Sequence, residues 1–195
     1  MPWSATSRFE LVPAPGALAL VQDLLNTAAT AQDPDLLADM ESAQAWVSDA
    51  TAEWSAVTGL PAVETVLDAD GLQELRAFRD DLRDMSARAH EAASETGPVE
   101  PATHAGAAML QLGADGSVRL QPQESDRRAL VVLALAALFE GQQAGTRHRL
   151  KTCRNPRCRV AFYDRSRNVS GVWHSVRSCG NLANLHAHRE RRRAE

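Results

Sequence analysis

The sequence predicts a mainly α protein: a helical N-terminal domain with a small β-hairpin, then a small cysteine-bearing module that ends in a helix. Three observations carry this reading. Through the first 145 residues, apolar side chains recur three and four apart, the period of a buried helix face. One pair of short apolar segments flanks a Gly-containing turn, as a hairpin does. All three cysteines fall after residue 145, and from Arg149 the pattern changes to alternating apolar and basic residues. The domains are therefore set at residues 1–145 and 146–195. With 195 residues, 44% of them hydrophobic, the chain suits one domain or one domain with a small appendage.

Taken in order, Phe9 to Val12 is expected as a short edge strand or ordered arm, punctuated by Pro13 to Gly16. Ala17 to Ala31 reads as a helix with Leu18, Val21, Leu25 and Ala28 on one face. Gln32 to Asp35 breaks it and offers Asp33 or Asp35 as the next cap. Leu36 to Met40 is expected as a helical turn. A second helix spans Ser42 to Val57, with Trp46 and Val47 pointing inward, and is stopped by Gly59 and Pro61. The clearest helix covers Asp70 to Thr96, where Leu72, Leu75, Phe78, Leu82, Met85 and Ala89 share a face. Residues 94–106 form a linker. Met109 to Leu112 and Ser117 to Leu120 pair across Gly113 to Gly116, and a helix follows from about Ser125 to Gln142. The most apolar stretch, Ala129 to Phe139, has 11 residues, too few to span a bilayer, so no membrane partner is expected.

The net charge of -4 hides an asymmetry. Residues 146–195 hold 12 Arg and 1 Lys against 3 acids, a net +10, which leaves -14 on residues 1–145. A concentrated positive patch suits phosphate partners, and DNA is the expected one. The competing use of that charge is intramolecular, against the chain's own acidic body. The odd cysteine count and the absence of a basic, then apolar, start point to a cytoplasmic protein. No catalysis is expected: Asp80, Asp81 and Asp84 have no histidine near them in sequence, and His90 and His104 are isolated. Asn26 and Thr27 are candidates to line a pocket for a small-molecule effector. The plainer reading has Asn26 hydrogen-bonding the backbone of a neighbouring loop. The acidic domain is expected to sense that effector or to form a homodimer.

The decisive stretch is CRNPRC at residues 153–158. Four intervening residues depart from the two of a redox pair. Asn155 and Pro156 favour a turn, which lets both sulfurs face one ion. Fifteen residues further on, His174 and Cys179 repeat the same spacing. Three thiolates and one imidazole complete a zinc tetrahedron with no open position, so the ion is structural, one per chain, and the module is read as a zinc finger. His148, His186 and His188 compete with His174 for the fourth position, and three buried free thiols are the alternative to any metal. Few apolar residues surround the site, so the module is expected to need its metal to fold, and metal loss to unfold the tail alone.

Val160 and Phe162 alternate in a strand that enters a turn, while Phe162, Tyr163 and Trp173 read as packing around the metal. Asn181 to Arg193 reads as a helix with His186, His188, Arg189, Arg191, Arg192 and Arg193 on one surface and Leu182 and Leu185 on the other. Such a helix fits a DNA major groove; a frayed, solvated terminus is the alternative. Arg165, Arg167 and Arg177 are expected to position phosphates, with Arg189, Arg191, Arg192 and Arg193 following the groove.

This constellation closely resembles the CGNR zinc-finger domain of bacterial proteins: a cysteine pair, an FxDxSRN stretch, a tryptophan followed by a ligand, then Cys-Gly-Asn-Arg. Here the pattern falls on Cys153, Cys158, Phe162, Asp164, Ser166, Arg167, Asn168, Trp173, Cys179, Gly180 and Asn181. His174 stands where the pattern carries cysteine, which preserves the zinc chemistry, and Leu182 stands where it carries arginine. Asn181 is carried over to the nucleic-acid contacts on this basis. Leu18 to Ala29, LALVQDLLNTAA, looks like the LDFVNT signature of the ABATE domain that normally precedes this finger. The resemblance implies a stress-response transcriptional regulator that binds DNA. A zinc-stabilised protein-interaction module without specific DNA binding is the second reading.

Overall fold

The computed structural model describes residues 2–88, 103–123, 128–181, 185 and 192. Its centre is a helix with no solvent-facing side. All nine residues of α2 (Leu18–Asn26) are buried. Around it pack α1 (Ser4–Ser7), α3 (Met40–Thr58), α4 (Ala69–Arg88), α5 (Ala129–Gln143) and the strand β4 (Ala161–Tyr163). Leu20, Leu24 and Leu25 meet Val47, Leu75, Phe78, Leu130 and Leu133 in one apolar cluster.

The polar residues of α2 must also find partners, because a buried unpaired donor or acceptor costs about 1–3 kcal/mol. Each finds one in a different part of the chain. Gln22 Oε1 accepts from the Ala14 N–H (2.6 Å), and its Nε2 donates to the Ala161 carbonyl (3.3 Å). Asp23 accepts from the Thr6 N–H (2.7 Å) and from Trp46 Nε1–H (2.8 Å). Burial pushes the Asp23 carboxyl above its ordinary range, with these donors pulling the other way.

The helix expected to reach Ala31 stops at Asn26. Its last carbonyls are taken by side chains instead of by a further turn: Leu24 by the Thr27 hydroxyl (2.7 Å), Leu25 by Arg83 (2.6 Å) and Asn26 by Arg8. Two guanidiniums at a helix C-terminus also suit the helix dipole. The expected strand or arm at Phe9 to Val12 is not a strand; it follows the short α1 through a turn in which Glu10 has φ 54. Residues 36–37 form a turn, and the cap of α3 is Asp39, whose side chain accepts from the Ser42 N–H (2.8 Å). Asp35 instead accepts from Leu37 N–H, and Asp33 from the Thr30 hydroxyl. Gly59 closes α3 with φ 71, a conformation that glycine adopts without a side-chain clash.

In α4, Leu72, Leu75, Phe78 and Leu82 are buried as their spacing predicts, while Met85 faces outward. The expected extension to Thr96 lies outside the described residues. The first hairpin pairs β1 (Ala108–Leu112) with β2 (Val118–Pro122), placing Leu110 opposite Leu120 and Leu112 opposite Val118. The second pairs β3 (Leu150–Thr152) with β4. Of these two strands, β4 was expected from the alternation at Val160 and Phe162, and β3 was not. Leu150 and Ala161 belong to the same apolar cluster as α2, so the core runs without interruption across residue 145. No helix among the described residues is long and apolar enough to cross a membrane.

Candidate metal centre

The first cysteine pair lies in the connection between β3 and β4. Beyond the strands' own register, Cys153 N–H donates to the Val160 carbonyl (2.8 Å) and Asp164 N–H to the Arg149 carbonyl (2.8 Å). Cys153 thus enters the turn directly from an anchored strand. Asn155 then organises the turn. Its side-chain oxygen accepts from Arg157 N–H (3.1 Å), and its carbonyl accepts from the N–H groups of Cys158 (2.9 Å) and Arg159 (3.1 Å). Its amide nitrogen lies 3.4 Å from Cys179 Sγ, a hydrogen bond to the sulfur of the other pair. Arg159, at φ 54, turns the chain into β4.

The loop to the second pair is built on Asp164. This buried carboxylate accepts from the N–H groups of Ser166 (2.9 Å) and Gly171 (2.7 Å) and from Lys151 Nζ (2.8 Å). Burial opposes its ionisation, but the lysine and these donors hold the carboxyl below its ordinary range. Lys151 also donates to the carbonyls of Val169 (2.6 Å) and Gly171 (3.1 Å). A Cβ on Gly171 would stand 2.9 Å from the Asp164 carboxylate, so the close approach requires glycine. Arg154 N–H donates to the Val172 carbonyl (3.0 Å), laying the end of the loop beside the first turn. Ser175 then accepts from Ser178 N–H through its side chain (3.3 Å) and opens the wide turn Val176–Gly180, which presents Cys179.

These turns bring Cys153, Cys158, His174 and Cys179 together, with one ligand atom from each lying within 4.8 Å of all the others. Cys158 Sγ and His174 Nδ1 are 3.3 Å apart. Sulfurs bound to a tetrahedral zinc at about 2.3 Å lie roughly 3.8 Å from one another, so the donor set fits such an ion. The three cysteines are free thiols. Hydrogen bonding with Cys158 holds the Cys153 thiol well below its ordinary range, while Cys153 and burial push Cys158 up. A metal ion would replace the proton between them, because thiolates are the ligands. Phe9 packs edge-on against His174, ring centroids 6.4 Å apart, so the N-terminal segment touches a ligand directly.

The sequence's other candidates fall in several places. His148 is outside the cluster, and His186 and His188 lie outside the described residues. Phe162 is buried, and Trp173 lies beside Gly180. Arg167, Arg177 and Asn181 are exposed. Arg165 donates to the Pro13 carbonyl (2.8 Å) and sits over the Tyr163 ring. Of the terminal contacts, Arg192 is described and exposed; Arg189, Arg191 and Arg193 lie outside the described residues, as does Leu182, while Leu185 is half exposed.

Asn26 and Thr27 are both buried, and their side chains are hydrogen-bonded within the protein. Asn26 Oδ1 accepts from Ala161 N–H (2.8 Å), and its Nδ2 donates to the Ala161 carbonyl (3.0 Å), so the side chain pairs with β4 as a neighbouring strand would. Thr27 is occupied by the Leu24 carbonyl and by Arg79 (3.2 Å). The backbone-bonding role of Asn26 was available from the sequence; its partner, 135 residues away, was not. His104, isolated in sequence, lies 2.7 Å from Asp81. Asn155's bond to sulfur and the Lys151–Asp164 pair also had no sequence signal beyond turn propensity and motif membership.

The arrangement is a cluster of three cysteines and one histidine that could hold a metal ion, carried on a hairpin stem. Residues 149–192, which contain all four donors, match the family model described as the CGNR zinc finger. The match includes none of residues 1–148, where the ABATE resemblance rests on the sequence motifs alone. No curated protein sequence matches this chain.

Proposed function

We propose that this protein is a zinc-dependent, non-enzymatic DNA-binding regulator, bacterial and cytoplasmic, with the finger on DNA and the helical part sensing a small-molecule effector or dimerising. The observation that carries the reading is the set of exposed arginines around the four-donor cluster. Of the described arginines in residues 146–195, Arg154, Arg157, Arg165, Arg167, Arg177 and Arg192 are exposed, and Arg159 alone pairs with a described acid of residues 1–145, Asp84. Among the described residues, pairing with the acidic body therefore takes up little of this charge. The stress-response role follows from the family resemblance.

Anisotropy titrations with genomic DNA fragments at two salt concentrations test the reading, beside elemental analysis of the purified protein. One zinc per chain and salt-sensitive binding that a chelator abolishes are expected. Absence of binding at low salt overturns it. His174→Cys should keep the ion, because thiolate is an equally suitable ligand, and His174→Ala should weaken its binding.

A second reading, a zinc-stabilised protein-interaction module, is favoured by one feature. Leu110, Leu112 and Val118 share a face of the first hairpin and are 68%, 76% and 62% exposed. Clustered exposed apolar side chains mark interaction surfaces more often than plain solvent faces. Loss of homodimer or partner association in a Leu110→Ser variant, with DNA binding absent in the parent, would favour it.

A further inference from the structure

Among the described arginines of the finger, apart from Arg147, Arg167 and Arg192, two groups stand out. One group is spent on the fold. Arg149 donates to the carbonyls of Asp164 (3.1 Å) and Ser166 (2.9 Å), Arg159 pairs with Asp84, and Arg165 is held by Pro13 and Tyr163. The other group stands on the two turns that carry the metal ligands. Arg154 and Arg157 flank Asn155 and Pro156 in the first turn, and Arg177 lies two residues before Cys179 in the second. All three are exposed, and none forms an ion pair with a described residue.

Their backbones are nonetheless fixed. Arg154 N–H is bonded to Val172, Arg157 N–H to the Asn155 side chain, and Arg177 sits in the turn that Ser175 opens. The hydrogen bond from Asn155 to Cys179 Sγ ties the two turns to each other. Charged groups on pre-ordered backbone lose less entropy on binding than those on a free chain. Guanidinium also matches phosphate oxygens with two parallel hydrogen bonds.

We propose that Arg154, Arg157 and Arg177 form the phosphate-contacting face of this protein, so that a nucleic-acid backbone is gripped by the two metal turns themselves. This rests on the DNA-binding reading above and assigns its contact surface. Arg154 and Arg157 belong to that surface although nothing in the sequence pattern set them apart from the turn they flank. The acidic remainder, net -14 over residues 1–145, repels a polyanion and leaves this face as the approach. Contacts of this kind set position and affinity and carry no base sequence by themselves.

The test is the salt dependence of binding of the full zinc-loaded chain to a random-sequence duplex. Each phosphate that the protein no longer neutralises lowers the slope of log affinity against log salt by about 0.9, so Arg154→Ala/Arg157→Ala should lower it by about 2 and weaken binding alike on all sequences. Arg177→Ala should lower it by about 1. Arg154→Lys/Arg157→Lys should restore most of the slope, since the charge returns without the fork. Arg119→Ala, on the first hairpin, should leave it unchanged. Zinc content and helical signal equal to those of the parent establish that each variant is folded. If the parent binds and the double alanine variant keeps both slope and affinity, the proposal is overturned while DNA binding stands. If the parent fails to bind DNA at low salt, the function itself is overturned. Equal binding of the parent to vesicles of anionic phospholipid, abolished in the same variants, would move the face from nucleic acid to membrane and overturn the assignment.

Discussion

The β1–β2 hairpin has five-residue strands, and Met109, Leu110, Leu112 and Val118 on it are exposed. The β3–β4 hairpin has three-residue strands, yet Leu150, Thr152, Ala161 and Phe162 are buried. The shorter ladder is the one built into the protein. Two devices account for the difference. Asn26 and Gln22, on the buried helix α2, supply hydrogen bonds to β4 that a third strand would otherwise give. A metal ion held by the four donors would then close the connection between the strands, which would fix a hairpin too short to hold by its own bonds. Ladder length thus says little about integration; what counts is which polar groups the core supplies to the strand's backbone.

The largest expected effect comes from removing the metal. Structural zinc in small fingers contributes about 10–16 kcal/mol, comparable with the whole stability of a domain. From the sequence, the damage was expected to stay within the tail. The continuous core changes that expectation: chelation, or Cys153→Ser, should lower the melting temperature of the helical body together with that of the finger. Circular dichroism at 222 nm with and without chelator checks this. A helical signal that melts unchanged after metal release would separate the two parts and restore the tail-only expectation.

Asn26→Ala comes next. It leaves the Ala161 N–H buried without its partner, while the carbonyl keeps Gln22, at a cost of about 1–3 kcal/mol. Denaturant unfolding measures it directly. Unchanged stability with a lost effector response would instead return Asn26 to the pocket role. Gly171→Ala forces the new methyl against the Asp164 carboxylate and should cost about 1–3 kcal/mol, with weaker metal retention in a chelator competition. The smallest effect belongs to the first hairpin: Leu110→Ser and Leu112→Ser should each change monomer stability by about 0.5 kcal/mol or less. A larger loss that grows with dilution, seen beside a change in sedimentation, would mean that this face is covered by a second copy.

Much of the site was legible because its determinants are local. Two equal spacings, a turn-forming Asn155–Pro156 and four donors of the right chemistry identify the ligand set before any fold is known. The faces of α3 and α4 follow for the same reason, since residues three and four apart must share a side of a helix. The limits were also local in kind: a single apolar face on Leu18 to Ala29 cannot reveal that α2 is enclosed on every side. Gln22, Asp23 and Asn26 look like its polar surface until residues 14, 6, 46 and 161 are brought to them. The same holds for β3, whose three residues carry no period of their own, and for His104 beside Asp81, 23 residues away. The sequence by itself determined the set of candidate metal donors and most of the helices, through spacing and side-chain type. Only the tertiary structure decided that the metal module shares the core of the body, because that depends on a buried amide meeting a strand across 135 residues of chain, a pairing that no short-range pattern encodes.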